Sequence, residues 1–245
     1  MLENINKNVT LIIKTFDRVN SLCNLLYSIR KFYRDIPIII INDGKQNCYG
    51  EIEHFNIDYR HLPFDSGASA GRNEGLFASK TKYICTLDED FLFTEKTRLE
   101  EWYNILESTD IDIIGGNVRD GRYEAIFNFY DNNTNMRFLK TPKDIEGTIP
   151  IYDIILQFWM GRTNKIIAFG GWHEKFKTID HLPFFLRAYN KVKIGYTNKV
   201  SIDHIPETNK DYQQFRHGRS EEYFQLLLKE FNLKRITGYH GNVIK

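Results

Sequence analysis

The fold is decided by a short stretch at residues 83–93, YICTLDEDFLF. An apolar, strand-like run ends there in three carboxylates, Asp88, Glu89 and Asp90, and a second apolar run follows at once. Three acids between hydrophobic segments are costly to bury unless a cation compensates them. Oxygen ligands suit hard cations such as Mg²⁺ or Mn²⁺, which bridge carboxylates to phosphate oxygens. The stretch therefore predicts a strand that ends at a metal–nucleotide site, with a solvated acidic turn as the alternative.

The segments around this stretch predict a wound α/β sheet with mostly parallel strands. Continuous β-branched runs at 9–13 and 36–41 are typical of buried parallel strands. The predicted order is strand 9–13, helix 21–32, strand 36–41, extended segment 54–62, helix 72–78, strand 83–87, helix 97–107 and strand 111–114. Ligands of such sheets bind beyond the carboxyl ends of the strands, where polar clusters occur at 15–18, 42–44 and 88–90.

The second half of the chain has a less regular pattern. It predicts a hairpin or excursion at 120–150, an apolar segment at 151–159, a strand or turn at 166–169, a helix at 181–189, short strands at 192–196 and 200–203, and a helix at 220–231. We expect one domain over 1–245, with a nucleotide-binding half at 9–116, an acceptor-binding half at 117–206 and a C-terminal helical extension at 207–245.

Bulk composition excludes several classes of protein. A formal net charge of +1 gives no electrostatic case for binding nucleic acid. Cys23, Cys48 and Cys85 are scattered and odd in number, which favours a reducing compartment over a disulfide framework or a zinc site. Residues 1–8 carry no signal-peptide pattern, and no apolar run approaches the ~20 residues that span a bilayer. We therefore expect a cytoplasmic protein.

Several stretches, in constant order over residues 9–206, carry a family resemblance. They are 14–18, 70–73, 81–83, 88–93, 97–100, 114–116, 157–163, 181–186 and 203–204. With them the chain resembles a glycosyltransferase of the GT-A type, and more narrowly the catalytic domain of the β-1,4-N-acetylgalactosaminyltransferases that build GM2/GD2-type glycans. The animal enzymes have a membrane anchor that this chain lacks, so it looks like a free-standing bacterial version, with peripheral contact at the inner membrane left open.

The resemblance implies a nucleotide-sugar site at the first strand ends. Thr15 and Phe16 would line a uridine pocket, and Asp43 would accept a hydrogen bond from the uracil. Arg18 would lie near phosphate or support its loop. The small residues that end in Gly71 let backbone N–H groups approach a phosphate or sugar, and Arg72 would contact the diphosphate or hold Asp88. A core aromatic for Phe16 and a turn cap for Asp43 are the alternatives.

The metal and its ligands also follow from the resemblance. Asp90 would bind Mn²⁺ or Mg²⁺ directly, and Asp88 would reach the ribose or a metal-bound water. Glu89 stands at the middle position, where the family commonly has an acid as well. His204, after a short strand, would be the third protein ligand.

The base that activates the acceptor hydroxyl is expected after the Gly-Gly-Trp turn at 170–172. Asp180 is the first candidate, His181 the second and Glu174 the third. Relatives carry a further acid where this chain has Pro183, which cannot act as a base. The alternative is that Asp180 only caps the following helix.

The acceptor side is predicted from aromatic and acidic residues. Trp172 and Trp159, together with Tyr152, would stack on sugar faces, with core packing as the alternative, and Asp153 would face the acceptor. The basic cluster at Arg216 and Arg219 would contact the diphosphate or anionic lipid, or would simply be a solvated helix start.

Together these features predict a metal-dependent, inverting glycosyltransferase. It would move N-acetylgalactosamine or a related hexose from a UDP-sugar donor to a saccharide or lipid-linked saccharide acceptor in lipopolysaccharide or capsule synthesis. A nucleotidyltransferase ranks lower because residues 14–18 lack the glycines that it would need. A sugar-binding module with a decayed site is the non-enzymatic alternative, and Pro183 keeps it open.

Overall fold

The structure is a computed structural model that describes residues 2–119, 123–206 and 218–244. Its helices are α1 (Leu2–Asn8), α2 (Val19–Phe32), α3 (Tyr49–Ile52), α4 (Ala68–Ala78), α5 (Leu99–Ser108), α6 (Thr163–Ala168), α7 (His181–Ala188) and α8 (Ser220–Glu230). Its strands are β1 (Val9–Thr15), β2 (Ile38–Asn42), β3 (Asp58–His61), β4 (Tyr83–Asp88), β5 (Phe91–Leu92), β6 (Ile113–Val118), β7 (Ile126–Tyr130), β8 (Asn135–Leu139), β9 (Asp144–Glu146), β10 (Ile149–Tyr152), β11 (Trp159–Arg162), β12 (Ile194–His204) and β13 (Arg235–Thr237).

Ten strands of the described residues form one main sheet. Its order is β3-β2-β1-β4-β11-β6-β12-β10-β9, and β5 pairs with β12 at one side. The strands β3, β2, β1 and β4 are parallel, as are β6 and β12. Strand β11 lies antiparallel between β4 and β6. The sheet is therefore mixed, and its block of four parallel strands agrees with the apolar runs of the sequence.

Alternating side chains of the central strands fill two cores, one on each face of the sheet. In β1, Leu11 and Ile13 enter the first core and Ile12 enters the second. Helices α1, α2 and α5 cover the first core, and α4, α6 and α7 cover the second. A strand buried on both faces reads as a continuous apolar run, which is why the pattern could be recognised in the sequence.

A second, smaller sheet is built from β7, β8 and β13. Strands β7 and β8 form the hairpin predicted within 120–150, and its turn at Asp131, Asn132 and Asn133 has φ angles of 50°, 55° and 64°. Asp and Asn tolerate this left-handed region better than other side chains with a Cβ. Strand β13 adds parallel to β8.

Several predicted elements are corrected by the structure. Residues 163–168 form helix α6 rather than the strand or turn expected at 166–169. The two short strands expected at 192–196 and 200–203 are one strand, β12, whose register shifts between Tyr196 and Ser201. Helix α1 was not anticipated, because seven residues are too few to show a clear helical period. The division into nucleotide, acceptor and C-terminal parts stays a prediction.

None of the helices in the described residues combines the length and the apolar character that crossing a membrane requires.

Candidate functional site

The parallel strands bring the polar clusters of the sequence together at one sheet edge. Lys14 lies beside Asp88 in the register of β1 and β4, and Thr15 lies beside Asn42 in the register of β1 and β2. A cavity of about 250 Å³ opens beyond these ends. Its walls come from the loops after β1, β2, β3 and β4, the start of α4, the segment before α7, and the end of β12. The site therefore lies where wound sheets bind their ligands.

Arg18 holds two of the three acids that follow β4. Its guanidinium contacts Glu89 Oε1 at 2.7 Å and donates to Asp90 Oδ2 at 3.0 Å. All three side chains are largely buried. Burial raises the pKa of Glu89, and Asp90 and Asp88 raise it further while Arg18 lowers it, so that the pKa ends above its usual value. Arg18 thus offsets much of the cost of burying this acidic turn.

Arg72, on α4, joins the acid of β4 to the segment before α7. Its Nε donates to Asp180 Oδ2 at 2.8 Å, and its Nη2 donates to Asp88 Oδ1 at 2.7 Å. Burial alone would lower the pKa of Arg72, but Asp180 and Asp88 raise it above the usual arginine value. Its Nη1 is buried and finds no partner in the described part of the chain. The bridge fixes Asp180 relative to Asp88 and leaves one N–H group available to a ligand.

Asp180 precedes α7 but makes no side-chain capping hydrogen bond to it. The alternative in which Asp180 serves only as a helix cap is therefore wrong in this structure, because its carboxylate is directed to Arg72 instead. The side chain is 7% exposed and lines the cavity. A carboxylate in this place can accept a proton from a group bound in the cavity.

Asp43 organises the wall beside β1 and β2. It is 1% exposed and forms an ion pair with Lys14, while its Oδ2 accepts from the backbone N–H of Gly67 at 2.7 Å. Gly67 has φ of 98°, and a Cβ there would lie 2.6 Å from Lys177 Cα, so this close approach requires glycine. Phe16 lines the same region, with Lys14 Nζ 5.2 Å from its ring centre.

Three residues at or beside the cavity were missed by the sequence analysis: Asp65 and Lys177, which line it, and Phe64, which packs beside it. Phe64, which is 48% exposed, packs against Phe16 with ring centres 5.6 Å apart. Asp65 accepts two hydrogen bonds from Arg219, at 2.8 and 3.1 Å, and one from Lys177 at 3.3 Å. The available signal was the end of β3: because β3 is parallel to β2, its exit loop at 62–67 had to reach the same sheet edge.

The strand pair β5–β12 brings His204 to the acidic turn. His204 lies opposite Phe91 in the register, and its Nε2 lies 3.5 Å from Asp90 Oδ2. Among the described residues no group of three or more His, Cys, Asp or Glu side chains is arranged to hold a metal ion. Asp90 and His204 nevertheless fit the common case in which a hard cation takes one or two protein groups and completes its shell with substrate phosphates.

The other two candidate bases are placed less favourably than Asp180. Nε2 of His181 lies 2.6 Å from the carbonyl oxygen of Ile155, and since a carbonyl only accepts, this nitrogen carries the proton. Burial lowers the pKa of His181, although Ile155 and Asp180 oppose that effect. Glu174 is exposed, contacts Asn73 at 3.4 Å, and does not line the cavity.

The predicted acceptor residues are not presented to solvent. Trp159 and Trp172 are fully buried and stack with Phe184, so the expectation that they stack on sugars is corrected to core packing. Asp153 is also buried, where it accepts from the N–H of Phe127 and pairs with Lys143. Tyr152 is buried as well.

Two predicted nucleotide residues support the site from behind its wall. Thr15 is 1% exposed at the end of β1 and does not line the cavity. Gly71 lets α4 approach Lys14, whose side chain would lie 3.0 Å from an added Cβ.

Arg216 lies outside the described residues, whereas Arg219 lines the cavity and holds Asp65.

Charge in the cavity wall is closely balanced. Within the described ranges each cationic side chain of the wall contacts at least one carboxylate of the same wall. The cations are Lys14, Arg18, Arg72, Lys177 and Arg219, and the carboxylates are Asp43, Asp65, Asp88, Glu89, Asp90 and Asp180. A diphosphate that enters this wall meets no surplus of positive charge, so a cation that accompanies it would be stabilising.

The wound sheet with its strand-end site has the GT-A fold of nucleotide-sugar transferases. The profile of glycosyl transferase family 2 matches residues 10–170, and the chain belongs to that family.

Two curated glycosyltransferases are similar to this chain in sequence. The chain is 31% identical to β-1,4 N-acetylgalactosaminyltransferase 2 of Mus musculus over 82% of its own length and 40% of the relative. It is 29% identical to β-1,4 N-acetylgalactosaminyltransferase 1 of Rattus norvegicus over 91% of its length and 45% of the relative. The chain thus spans less than half the length of these curated relatives.

A solved structure supports the fold. The crystal structure of S. aureus TarS 1-349 in complex with UDP-GlcNAc superimposes with a TM-score of 0.67 at 13% identity, covering 91% of this chain and 66% of that one.

Proposed function

We propose that the protein transfers a sugar, N-acetylgalactosamine or a related hexose, from a UDP-sugar to a saccharide hydroxyl with inversion at the anomeric carbon. The observation that carries the proposal is the strand-end cavity, in which Arg72 ties Asp88 to Asp180 while Asp90 faces His204. The family match and the N-acetylgalactosaminyltransferase relatives support the reaction class and the sugar. A lipopolysaccharide, capsular or lipid-linked saccharide is the acceptor that we propose.

The base of the nucleotide would lie against the rings of Phe16 and Phe64, which pack against each other. Their rings offer an apolar surface to the base, and the remaining lone pairs of Asp43 accept from the uracil N–H. Asp88, whose side chain is partly exposed, would accept from a ribose hydroxyl. Nη1 of Arg72 would then donate to the donor, which gives its buried N–H group a partner.

In the transfer step the acceptor oxygen forms a bond to the anomeric carbon as the bond to the diphosphate breaks. The acceptor proton passes to the Asp180 carboxylate, and the electron pair of the broken bond leaves with UDP. Asp90 and His204 would hold Mn²⁺ or Mg²⁺, which would neutralise charge on the leaving diphosphate. Arg72 keeps Asp180 in place on the acceptor side.

A donor screen tests the proposal. Purified protein is incubated with UDP-GalNAc, UDP-GlcNAc, UDP-galactose and UDP-glucose, with Mn²⁺ or with EDTA, and released UDP is measured. We expect metal-dependent release with at least one donor, and a thermal shift that is larger with UDP than with CDP or GDP. No release with any donor, together with sugar binding, would instead establish a binding module.

A further inference from the structure

The outward face of the small sheet forms a second candidate site, which we call the small-sheet groove. It is a cavity of about 500 Å³ lined by Tyr130, Arg137, Arg235, Thr237 and Tyr239, among others. The ladder registers place Arg137 beside Thr237, and Arg235 beside Asn135, which pairs on its other side with Tyr130. Since paired residues project to the same side of a sheet, two arginines and a tyrosine share one face.

The groove carries three cationic side chains, Arg137, Arg235 and the neighbouring Lys140. None of them forms an ion pair with another residue that the structure describes. Arg137 is held by its Nε, which donates to Asn128 Oδ1 at 2.9 Å, so its terminal amino groups point to an open face. This is the reverse of the strand-end cavity, where each cation contacts a carboxylate. Unpaired, oriented guanidinium groups are suited to carboxylate or phosphate.

Aromatic rings accompany these cations. The guanidinium carbon of Arg137 lies 6.0 Å from the centre of the Tyr130 ring, and Lys140 Nζ lies 5.1 Å from the centre of the Tyr239 ring. Both rings are partly exposed. Rings with one accessible face stack on the apolar faces of sugars, and a cation beside the ring adds a charged contact.

Ring contacts connect the groove to the strand-end cavity. His181, next to Asp180, lies 6.2 Å from Tyr123, and Tyr123 lies 5.8 Å from Tyr239, measured between ring centres. The groove thus lies two ring contacts from His181, the neighbour of Asp180. A saccharide of several units that runs over the surface would span this separation.

We propose that the small-sheet groove binds an anionic saccharide unit of the acceptor, remote from the sugar that reacts. The part of this inference that concerns the acceptor rests on the proposed transferase function, whereas binding in the groove can be measured alone. Arg137 and Arg235 bind the carboxylate or phosphate, and Tyr130 and Tyr239 contact the sugar ring. The groove would then select charged acceptors without taking part in the chemistry.

Calorimetric titration of the full chain tests the inference. The probes are tetragalacturonate, neutral maltotetraose of the same length, and maltotetraose that carries a phosphate. We expect one of the charged probes to bind at least about tenfold more tightly than maltotetraose, and the stronger of the two identifies the carboxylate or phosphate source. Arg137→Ala and Arg235→Ala should each weaken that binding by about tenfold. Tyr130→Ala should weaken it several-fold.

Arg34→Ala is the matched control, because Arg34 is exposed after α2, beside the other core. Circular dichroism melts report folding of every variant independently of UDP. The inference would be overturned if neutral maltotetraose bound as tightly as the charged probes, or if inorganic polyphosphate competed for the groove as well as a charged saccharide does. It would also be overturned if Arg137→Ala, Arg235→Ala and Tyr130→Ala all left binding of the charged probe unchanged. Binding to phosphatidylglycerol vesicles without binding to either charged saccharide would also overturn it, in favour of a membrane contact. If a charged probe binds but no donor releases UDP, the inference about the groove remains and the proposed transferase function is refuted.

Discussion

The strand-end cavity and the small-sheet groove carry positive charge in opposite ways. In the cavity each described cation contacts a carboxylate of the same wall, as Arg72 does with Asp88 and Asp180. In the groove Arg137 and Arg235 have no acid in contact within the described residues. The difference teaches that an arginine in a pocket does not by itself predict anion binding. What counts is whether its charge is already neutralised by the protein.

Removal of the metal ion by EDTA should give the largest difference in behaviour between the strand-end cavity and the small-sheet groove. We expect EDTA to lower transfer by about 10⁴-fold or more and to abolish the thermal shift caused by UDP, because the neutralised cavity has no spare cation for a diphosphate. Binding of the charged saccharide in the groove should be unchanged. Asp90→Asn should reproduce the loss of transfer at fixed Mn²⁺, while the exposed Glu95→Gln should not. An unchanged rate in EDTA would refute the metal-dependent mechanism.

Asp180→Asn tests the acceptor side of the cavity. It keeps the shape of the side chain but removes the proton acceptor, so kcat should fall by about 10³-fold while UDP binding remains normal. The structure sharpens this test, because Asp180 makes no capping hydrogen bond, so that a defect cannot be assigned to a lost helix cap. His181→Ala and Glu174→Gln are measured in parallel. Near-normal turnover by Asp180→Asn with an inactive His181→Ala would move the base to His181.

The same two regions differ in how far sequence alone could predict them. Strands β1, β2 and β4 are buried on both faces, so their apolar runs were visible, and parallel pairing then placed Asp43 and Asp88 at one edge. The hairpin at 126–139 was visible from its Asn-rich turn. Sequence could not show that β13 completes the small sheet, because that pairing joins segments about a hundred residues apart.

Within the cavity, long-range pairing again limited the prediction. Asp180 was chosen from the sequence, but its contact with Arg72, which orients its carboxylate, crosses 108 positions. Trp159 and Trp172 could be core or sugar platforms by residue type alone, and only the stack with Phe184 assigns them to the core. Helix α6 was missed because six residues between β11 and a Gly-Gly turn give almost no period.

Phe64→Ala asks whether the aromatic wall of the cavity binds a base. Stacking of a base on an aromatic ring contributes about 1–3 kcal/mol, so the Kd for UDP should rise by about tenfold. Phe77→Ala is the matched control, because Phe77 is 53% exposed on α4 and is not part of the Phe16–Phe64 pair. Calorimetry with UDP and Mn²⁺ gives both values. Equal effects of the two substitutions would show that Phe64 has no specific part in nucleotide binding.

The smallest effect is expected at the ion pair of Arg219 and Asp65, which connects the C-terminal part of the chain to the cavity. Burial alone would raise the pKa of Asp65, but Arg219 and Lys177 lower it below its usual value. A carboxylate with a lowered pKa stabilises the fold above its unfolded-state pKa, and this contribution is lost as the pH falls through the folded-state value. Arg219→Ala should therefore lower the free energy of unfolding at pH 7 by ~1 kcal/mol or less, since the pair is partly exposed.

The difference between Arg219→Ala and the wild type should shrink as acid protonates Asp65, whereas Arg34→Ala should match the wild type at every pH. Urea unfolding at pH 7 and at successively lower pH measures both curves. A loss at pH 7 that persists after Asp65 is protonated would mean that Arg219 stabilises the fold by packing its side chain. In that case the charge balance of the cavity would not depend on the C-terminal part, and the contrast with the groove would rest on the pairs made by Lys14, Arg18, Arg72 and Lys177.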